Sequence, residues 1–285
     1  MAVKTQNETS YWNSLATEIE KEKAAVRTEK WRKAAKNWLA YYAENKAREF
    51  ITSTLMAHVR LNNDAQILDV GCGPGKWTKL FVEKGFVTTG IDSSPWMIRL
   101  AKQNISSINK RLVKFYVMNV AKLELSSDFY DLVNCVTVLQ HIFNDEDWKK
   151  AVYEIVRVAK PSGHVLIFEA APSFVLEKQT RYLRFRTMKE YISEFEKAGA
   201  RFVHWKATDL SFPITFIGLR KYAASFEEKV YYFASREPSL LSPSFLSLLS
   251  RIASILAKPV DYKLAETPLS FLSIGKILLF KKVKG

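Results

Sequence analysis

The stretch from Ile67 to Trp77, ILDVGCGPGKW, is an apolar run that breaks into a loop with glycine at every second position. The apolar residues at its start predict a buried strand. Three glycines follow, Gly71, Gly73 and Gly75, and glycine lets the backbone approach a ligand more closely than any Cβ would allow. Residues Lys76 to Lys84 then show helical spacing. Strand, glycine turn and helix therefore occur in the order of a nucleotide-binding first crossover.

The glycine spacing narrows the choice of ligand. Dinucleotide sites use G-x-G-x-x-G, whereas this loop is G-x-G-x-G with Pro74 before the last glycine, which argues against NAD. With Asp69 at the strand end, the run resembles the first motif of class I S-adenosylmethionine (SAM)-dependent methyltransferases. A tight turn that binds nothing is the alternative, so residues further along the chain must decide.

An acid follows the glycine loop at the distance that a doubly wound fold requires. The segment FVTTGIDSS, Phe86 to Ser94, predicts a second strand that ends in Asp92. A carboxylate at this place can accept hydrogen bonds from both hydroxyls of a ribose. The alternative is a helix cap, because Asp92, Ser93 and Ser94 directly precede Pro95.

Further strands can be compared with the same family. The third strand is predicted from Val113 to Val117, and the family usually places an aspartate after it that accepts a hydrogen bond from the adenine amino group. Here the residue is Asn119, whose carbonyl oxygen can still accept that bond. The fourth strand is predicted from Phe129 to Val138, with the family's acid near its start supplied by Asp128 or Asp131.

Two titratable residues are predicted at the carboxyl edge of the sheet, where open α/β folds bind ligands. His141 follows the fourth strand, and Glu169 ends a fifth strand predicted from His164 to Ala170, after a helix capped by Asp145. His141 is the candidate general base, with lining of the pocket as its alternative role, and Glu169 is a second candidate base. His164 and His204 fall inside predicted strands and are expected to be structural.

The resemblance covers roughly Tyr11 to Ala207 and the final strand, and it implies a set of cofactor-binding residues. Members of the family often start with a Tyr-Trp or Tyr-Tyr pair that folds over the methionine end of SAM, and Tyr11 and Trp12 occupy the matching place. The alternative is that the N-terminal helices only pack on the edge of the core. The implied SAM-binding residues are Tyr11, Asp69, Gly71, Cys72, Gly73, Gly75, Asp92, Ser93, Met97, Asn119, Val120, Val136 and His141.

The fold implied by the resemblance is a Rossmann-like doubly wound sheet of seven strands in the order 3-2-1-4-5-7-6, with the last strand antiparallel. We expect an N-terminal helical cover (1–60), a SAM-binding core (61–208), a helical insertion (209–270) and the final core strand (271–285). Segment 209–268 alternates aromatic and basic residues and then predicts an apolar helix. A core cap, a dimer face, a substrate lid and a surface that rests on a membrane all remain open for it.

The charge, the cysteine content and the apolar runs of the chain indicate which kinds of partner and compartment to expect. The formal charge of +14 and the pI near 9.6 predict attraction to polyanions, which include RNA, anionic lipid headgroups and phosphorylated small molecules. Cys72 and Cys135 give no framework for disulfides or zinc, and no carboxylate-rich metal site is apparent. The polar N-terminus and the lack of a bilayer-length apolar run predict a cytoplasmic protein, with peripheral contact at the inner membrane face as an option.

Missing motifs restrict the methyl acceptor. After the fourth strand there is no Asn or Asp followed by Pro-Pro and an aromatic residue, which enzymes that methylate base amino groups use. Cys135 is not preceded by proline, so the nucleophilic cysteine of cytosine-carbon methylation is not indicated. We therefore expect transfer to an oxygen or nitrogen of a small molecule, a sugar or a lipid-linked glycan, and nucleic acid is not favoured. RNA or protein methylation, or a non-catalytic SAM-binding partner protein, is the alternative, and the sequence leaves the oligomeric state open.

Overall fold

The structure is a computed structural model that describes residues 47–105, 110–173, 183–208, 270, 273 and 275–283. The predicted aromatic cover at Tyr11 and Trp12 lies outside these residues, as does the predicted insertion between 209 and 268. The domain boundaries proposed from the sequence therefore remain predictions. Among the described residues, no helix is both long enough and apolar enough to cross a bilayer.

Seven strands form one sheet in the order β3-β2-β1-β4-β5-β7-β6. Strands β1 to β5 pair in parallel, and β7 runs antiparallel to both β5 and β6. The predicted strand order and the antiparallel last strand are thus confirmed. The strands are β1 (Gln66–Val70), β2 (Val87–Asp92), β3 (Val113–Val117), β4 (Tyr130–Val136), β5 (Ala159–Ala170), β6 (Ala200–Ala207) and β7 (Gly275–Lys282).

Helices cover the two faces of the sheet. They are α1 (residues 47–58), α2 (Lys76–Glu83), α3 (Pro95–Asn104), α4 (Asp145–Val158) and α5 (Met188–Lys197), with a 3-10 turn at Leu139–His141. Alternation along the strands sends successive side chains to opposite faces. One buried cluster joins α1 and α2 to the sheet through Phe50, Ile51, Ile67, Phe81, Leu132 and Leu166. The other joins α4 and α5 to it through residues that include Val133, Val152, Ile167 and Phe195.

The predicted cap of helix α4 was wrong by one residue. Asn144, not Asp145, is the N-cap, and its side-chain oxygen accepts the backbone N–H groups of Glu146 and Asp147 at 2.9 and 3.0 Å. Asp145 is the first helical residue and pairs with Arg186 instead. An amide oxygen caps as well as a carboxylate, so the cap leaves Asp145 available for that ion pair.

The predicted start of the fifth strand was also wrong. Strand β5 begins at Ala159 rather than His164, because its pairing with β4 already starts at Ala159, opposite Tyr130. Its pairing with β4 shifts register between Tyr130 and Leu132, and Ser162 has a φ of 67°. An irregularity of this kind accommodates a proline that cannot donate to the sheet. The fourth strand is shorter than predicted and ends at Val136.

Candidate functional site

The glycine loop, residues 71–75, joins β1 to α2 at the carboxyl edge of the sheet. Gly71 and Gly73 have φ values of 61° and 52°, a region that other residues rarely adopt. A Cβ on Gly71 would lie 2.3 Å from Val138 Cγ2, so the loop packs directly against the segment that follows β4. A Cβ on Gly73 would meet nothing within 4 Å, so within the part of the chain that the structure describes this face of the loop is open.

Asp92 ties the glycine loop to the neighbouring strand. It ends β2, and its Oδ2 accepts the backbone N–H of Gly73 at 2.9 Å while Oδ1 accepts that of Ser94 at 2.8 Å. Ser94, not Asp92, caps α3 through the N–H of Met97 at 3.2 Å. Burial raises the pKa of the Asp92 carboxyl, against the lowering effect of the two N–H groups. The acid therefore lies beside the loop and is not consumed as a helix cap.

Asp69 lies beneath the loop rather than on its open face. It is 1% exposed, and its carboxylate accepts the Thr78 hydroxyl at 2.6 Å and the Asn134 amide at 2.9 Å. Burial raises the pKa of Asp69 to about 6, although the hydrogen bonds from Thr78 and Asn134 lower it. These contacts join β1, α2 and β4, so the geometry gives Asp69 a role in fixing the loop.

The segment after β3 lies next to the end of β2. The Met118 N–H donates to the Asp92 carbonyl at 3.0 Å, which brings exposed Asn119 to the same edge of the sheet. The Asn119 side-chain carbonyl accepts the Ala121 N–H at 2.9 Å. Since an amide oxygen has two lone pairs, one acceptor position remains for a ligand.

The other residues implied as SAM-binding differ in how far they are buried. Cys72 and Met97 are buried, Val120 and Val136 are half-buried, and Ser93 is exposed. Burial raises the pKa of the Cys72 thiol well above its ordinary value, so this cysteine is a neutral packing group.

The segment after β4 carries His141. Thr137 has a φ of 55°, which is rare for a β-branched residue and ends the strand before a 3-10 turn. We call residues 137–141 the His141 turn. Its Val138 packs against Gly71 as described above, and half-buried His141 lies at its far end, with the Gln140 Nε2 3.5 Å from the His141 Nε2. The turn thus packs against the glycine loop and ends at the candidate base.

Glu169 is placed differently from a solvent-facing base. It is 0% exposed, and its carboxylate accepts the backbone N–H groups of Val138, Leu139 and Gln140 at 2.9, 3.0 and 3.1 Å. Burial raises the pKa of Glu169 to about 7, against the lowering effect of those N–H groups. Because both oxygens are engaged with the backbone, the geometry favours support of the His141 turn over proton transfer with an acceptor.

Several residues at this edge were missed from the sequence. Arg186 is 3% exposed, pairs with Asp145 at 2.7 Å, donates to the Ile142 carbonyl at 3.0 Å and lies over the Trp148 ring at 4.4 Å. Nothing in the local pattern marks it. Asn134 could have been found, because a polar residue inside the otherwise apolar stretch LVNCV calls for a buried partner.

The remaining histidines lie away from this edge. His164 and His204 fall in β5 and β6 as predicted, and the His204 ring lies tilted against that of His58, with the two ring centroids 4.3 Å apart. Burial, followed by nearby positive groups, lowers the pKa values of His164 and His204. Both are therefore neutral near pH 7, in keeping with a structural role.

The strand order, the glycine loop at the end of β1 and the acid at the end of β2 together define the class of Rossmann-like methyltransferases. Residues 67–163 match a protein family described as "Methyltransferase domain". Residues 67–163 therefore form a methyltransferase domain of the class I SAM-dependent type.

Comparisons with individual proteins agree with this class. The chain is 27% identical over 169 residues to a demethylmenaquinone methyltransferase of Bacillus cereus, covering 58% of this chain and 68% of that one. It is 31% identical over 121 residues to a ubiquinone biosynthesis O-methyltransferase of Rickettsia akari, covering 42% and 46%. A phosphoethanolamine N-methyltransferase of Haemonchus contortus, solved with SAM, has the same fold, with a TM-score of 0.53, 16% identity and coverage of 82% and 52%.

Proposed function

We propose that this protein transfers a methyl group from SAM to an oxygen or nitrogen atom of a small-molecule acceptor. The observation that carries the proposal is the hydrogen bond from the Gly73 N–H to the Asp92 carboxylate. It holds an acid beside a glycine loop whose Gly73 face is open among the described residues. The His141 turn borders the same loop through Val138. Cofactor-binding and acceptor-facing groups thus meet at one edge of the sheet.

The residues at this edge fit SAM as a cofactor. Asp92 would accept hydrogen bonds from the ribose hydroxyls, Asn119 would accept one from the adenine amino group, and the glycine loop would carry the methionine part. When bound, SAM supplies an electrophilic methyl carbon on a sulfonium. The chain's own contribution is to place the acceptor in line with that carbon, which supplies much of the rate in displacements of this kind.

His141 supplies the acceptor side with a titratable group. If the acceptor is a hydroxyl or a protonated amine, His141 removes its proton; if the acceptor is already a free nucleophile, His141 lines the pocket. Glu169 does not compete for this role, since its oxygens hold three backbone N–H groups. Replacement of His141 by Asn separates the two cases through the pH profile of transfer.

The relatives favour a small ring-bearing acceptor. One is a demethylmenaquinone methyltransferase and another an O-methyltransferase of ubiquinone biosynthesis, so we propose a phenolic or quinol-type acceptor as the first class to test. Sugar and lipid-linked acceptors, with peripheral contact to an anionic membrane, come next. RNA is the alternative to all of these acceptors, and the formal charge of +14 is the observation in its favour, since a basic protein attracts polyanions.

The test is transfer of labelled methyl from SAM to a panel of acceptors. The panel holds a short-chain demethylmenaquinol, simple phenols, amines and total RNA, with S-adenosylhomocysteine (SAH) measured as the common product. We expect SAH to form with a small molecule and label to appear in the organic extract. Label found only in RNA would contradict the acceptor class, and SAM binding without transfer to any acceptor would support the non-catalytic alternative.

A further inference from the structure

The carboxylate of Glu169 reaches across from the end of β5 to the backbone that follows β4. One oxygen accepts the N–H groups of Val138 and Leu139, and the other accepts that of Gln140. The side chain is completely buried, and no solvent competes for these bonds. A buried carboxylate is costly unless it is well solvated by the protein, and here three backbone donors provide that solvation.

The backbone that Glu169 holds is also strained and closely packed. Thr137 adopts a positive φ of 55°, and its N–H is fixed by the Phe168 carbonyl at 2.7 Å. A strained segment persists only where its surroundings determine it. One residue later, Val138 occupies the space that a Cβ on Gly71 would need. A change in the turn would therefore be transmitted to the glycine loop.

Further bonds hold the same turn from its other side. The Gln140 side chain accepts the Ala170 N–H at 2.7 Å, and the Gln140 carbonyl accepts the Arg184 N–H at 2.8 Å. Arg186 donates to the Ile142 carbonyl, just beyond the turn. Three backbone N–H groups of the turn thus donate to Glu169, and the Gln140 carbonyl accepts from the segment before α5.

We infer that Glu169 is a positioning residue that holds the His141 turn in place and so sets both the wall of the glycine loop and the location of His141. The inference rests on the proposed function for its consequence in catalysis. It assigns Glu169 a part that requires a carboxylate rather than an amide. Three N–H donors can share two carboxylate oxygens, whereas a glutamine would turn an NH₂ group toward one of them.

The test compares Glu169→Gln with the wild type in the full chain at pH 8, where Glu169, whose pKa burial raises to about 7, is ionised. SAH affinity is measured by calorimetry, and the histidine rings are observed by NMR after ¹³C labelling, since the chain has only four histidines. We expect SAH affinity to fall by about tenfold or more, because a charge-assisted bond is replaced by a donor–donor contact. The ring signal of His141, assigned with His141→Asn, should shift, while those of the other three histidines stay in place.

The matched control is Asp131→Asn. Asp131 also accepts a backbone N–H, from Gln66 at 2.8 Å, and pairs with Lys160, but it lies at the start of β4, on the opposite edge of the sheet. It should lower stability without changing SAH affinity or the His141 signal. A general loss of packing would not produce that difference between the two variants.

The inference is overturned if folded Glu169→Gln binds SAH within twofold of the wild type and leaves the His141 signal unmoved. If Glu169→Gln does not fold, Glu169→Asp decides. This variant keeps the charge but shortens the side chain that reaches the three N–H groups, and an unmoved His141 signal with unchanged SAH affinity would then reject the positioning role. Failure of the wild type itself to bind SAH would instead reject the proposed function.

Discussion

Asp92 is the residue at which the sheet and the glycine loop are joined. Its two oxygens are already oriented by the N–H groups of Gly73 and Ser94, and their outer lone pairs remain for a ligand. Pre-orientation of this kind lowers the entropy lost on binding. The acid was predictable from the sequence because it ends an apolar strand at the right distance from the glycines.

Asp92→Asn should weaken SAM binding by roughly ten- to one-hundredfold, because one oriented charged acceptor becomes an NH₂ donor. The measurement is equilibrium dialysis with labelled SAM. Asp131→Asn serves as the control and should bind as the wild type does. Equal affinities of Asp92→Asn and the wild type would remove Asp92 from the site.

Ionisation of Glu169 should also make the free energy of unfolding depend on pH. Its pKa rises from an ordinary value of 4.5 to about 7 in the folded state, so between these values the folded chain keeps a proton that the unfolded chain has released. The stabilisation from this group is therefore complete below pH 4.5 and is lost as the pH rises to 7, by on the order of 3 kcal/mol.

Urea unfolding of the wild type and Glu169→Gln between pH 4.5 and 8 measures this contribution. The wild type should lose stability relative to the variant as the pH rises through this window, because glutamine does not titrate. A difference between the two proteins that stays constant with pH would show that Glu169 ionises normally.

At the scale of elements, the glycine loop and the His141 turn behave as one unit. Gly71→Ala would place a methyl group 2.3 Å from Val138 Cγ2 at a φ of 61°. We expect loss of SAH binding and of about 2 kcal/mol in stability, from the clash and the left-handed backbone together.

The double variant Gly71→Ala/Val138→Ala tests that coupling. Removal of the valine methyls should restore part of the stability and affinity lost in Gly71→Ala, whereas Val138→Ala alone should cost stability by opening space in the core. The measurement is a double-mutant cycle by urea unfolding and SAH calorimetry. Strictly additive effects would mean that loop and turn do not contact each other.

Element boundaries show where sequence reasoning failed. The fifth strand was predicted to begin at His164, yet β5 begins at Ala159 and passes through Pro161 and Gly163 with a shift in its register with β4. Pairing partners of this kind lie far apart in the sequence and leave no local pattern. By contrast, helix α5 begins at a capping box formed by Thr187 and Glu190, which is a local pattern.

At the scale of the whole molecule, the strand order followed from resemblance to a known family, and the structure confirms it. The contacts that hold the candidate site together could not be predicted from that resemblance. Glu169 is 29 to 31 positions from the N–H groups it holds, and Arg186 is 41 from Asp145. Only the folded chain brings them together, so their roles could not be assigned from spacing.

The central claim is that the glycine loop and Asp92 bind SAM at the carboxyl edge of this sheet. Its most direct test is titration of the full chain with SAH in a calorimeter at two temperatures, so that a zero enthalpy at one of them does not hide binding. We predict saturable binding of one SAH per chain. Absence of heat at both temperatures, in protein that still unfolds cooperatively, would contradict the account.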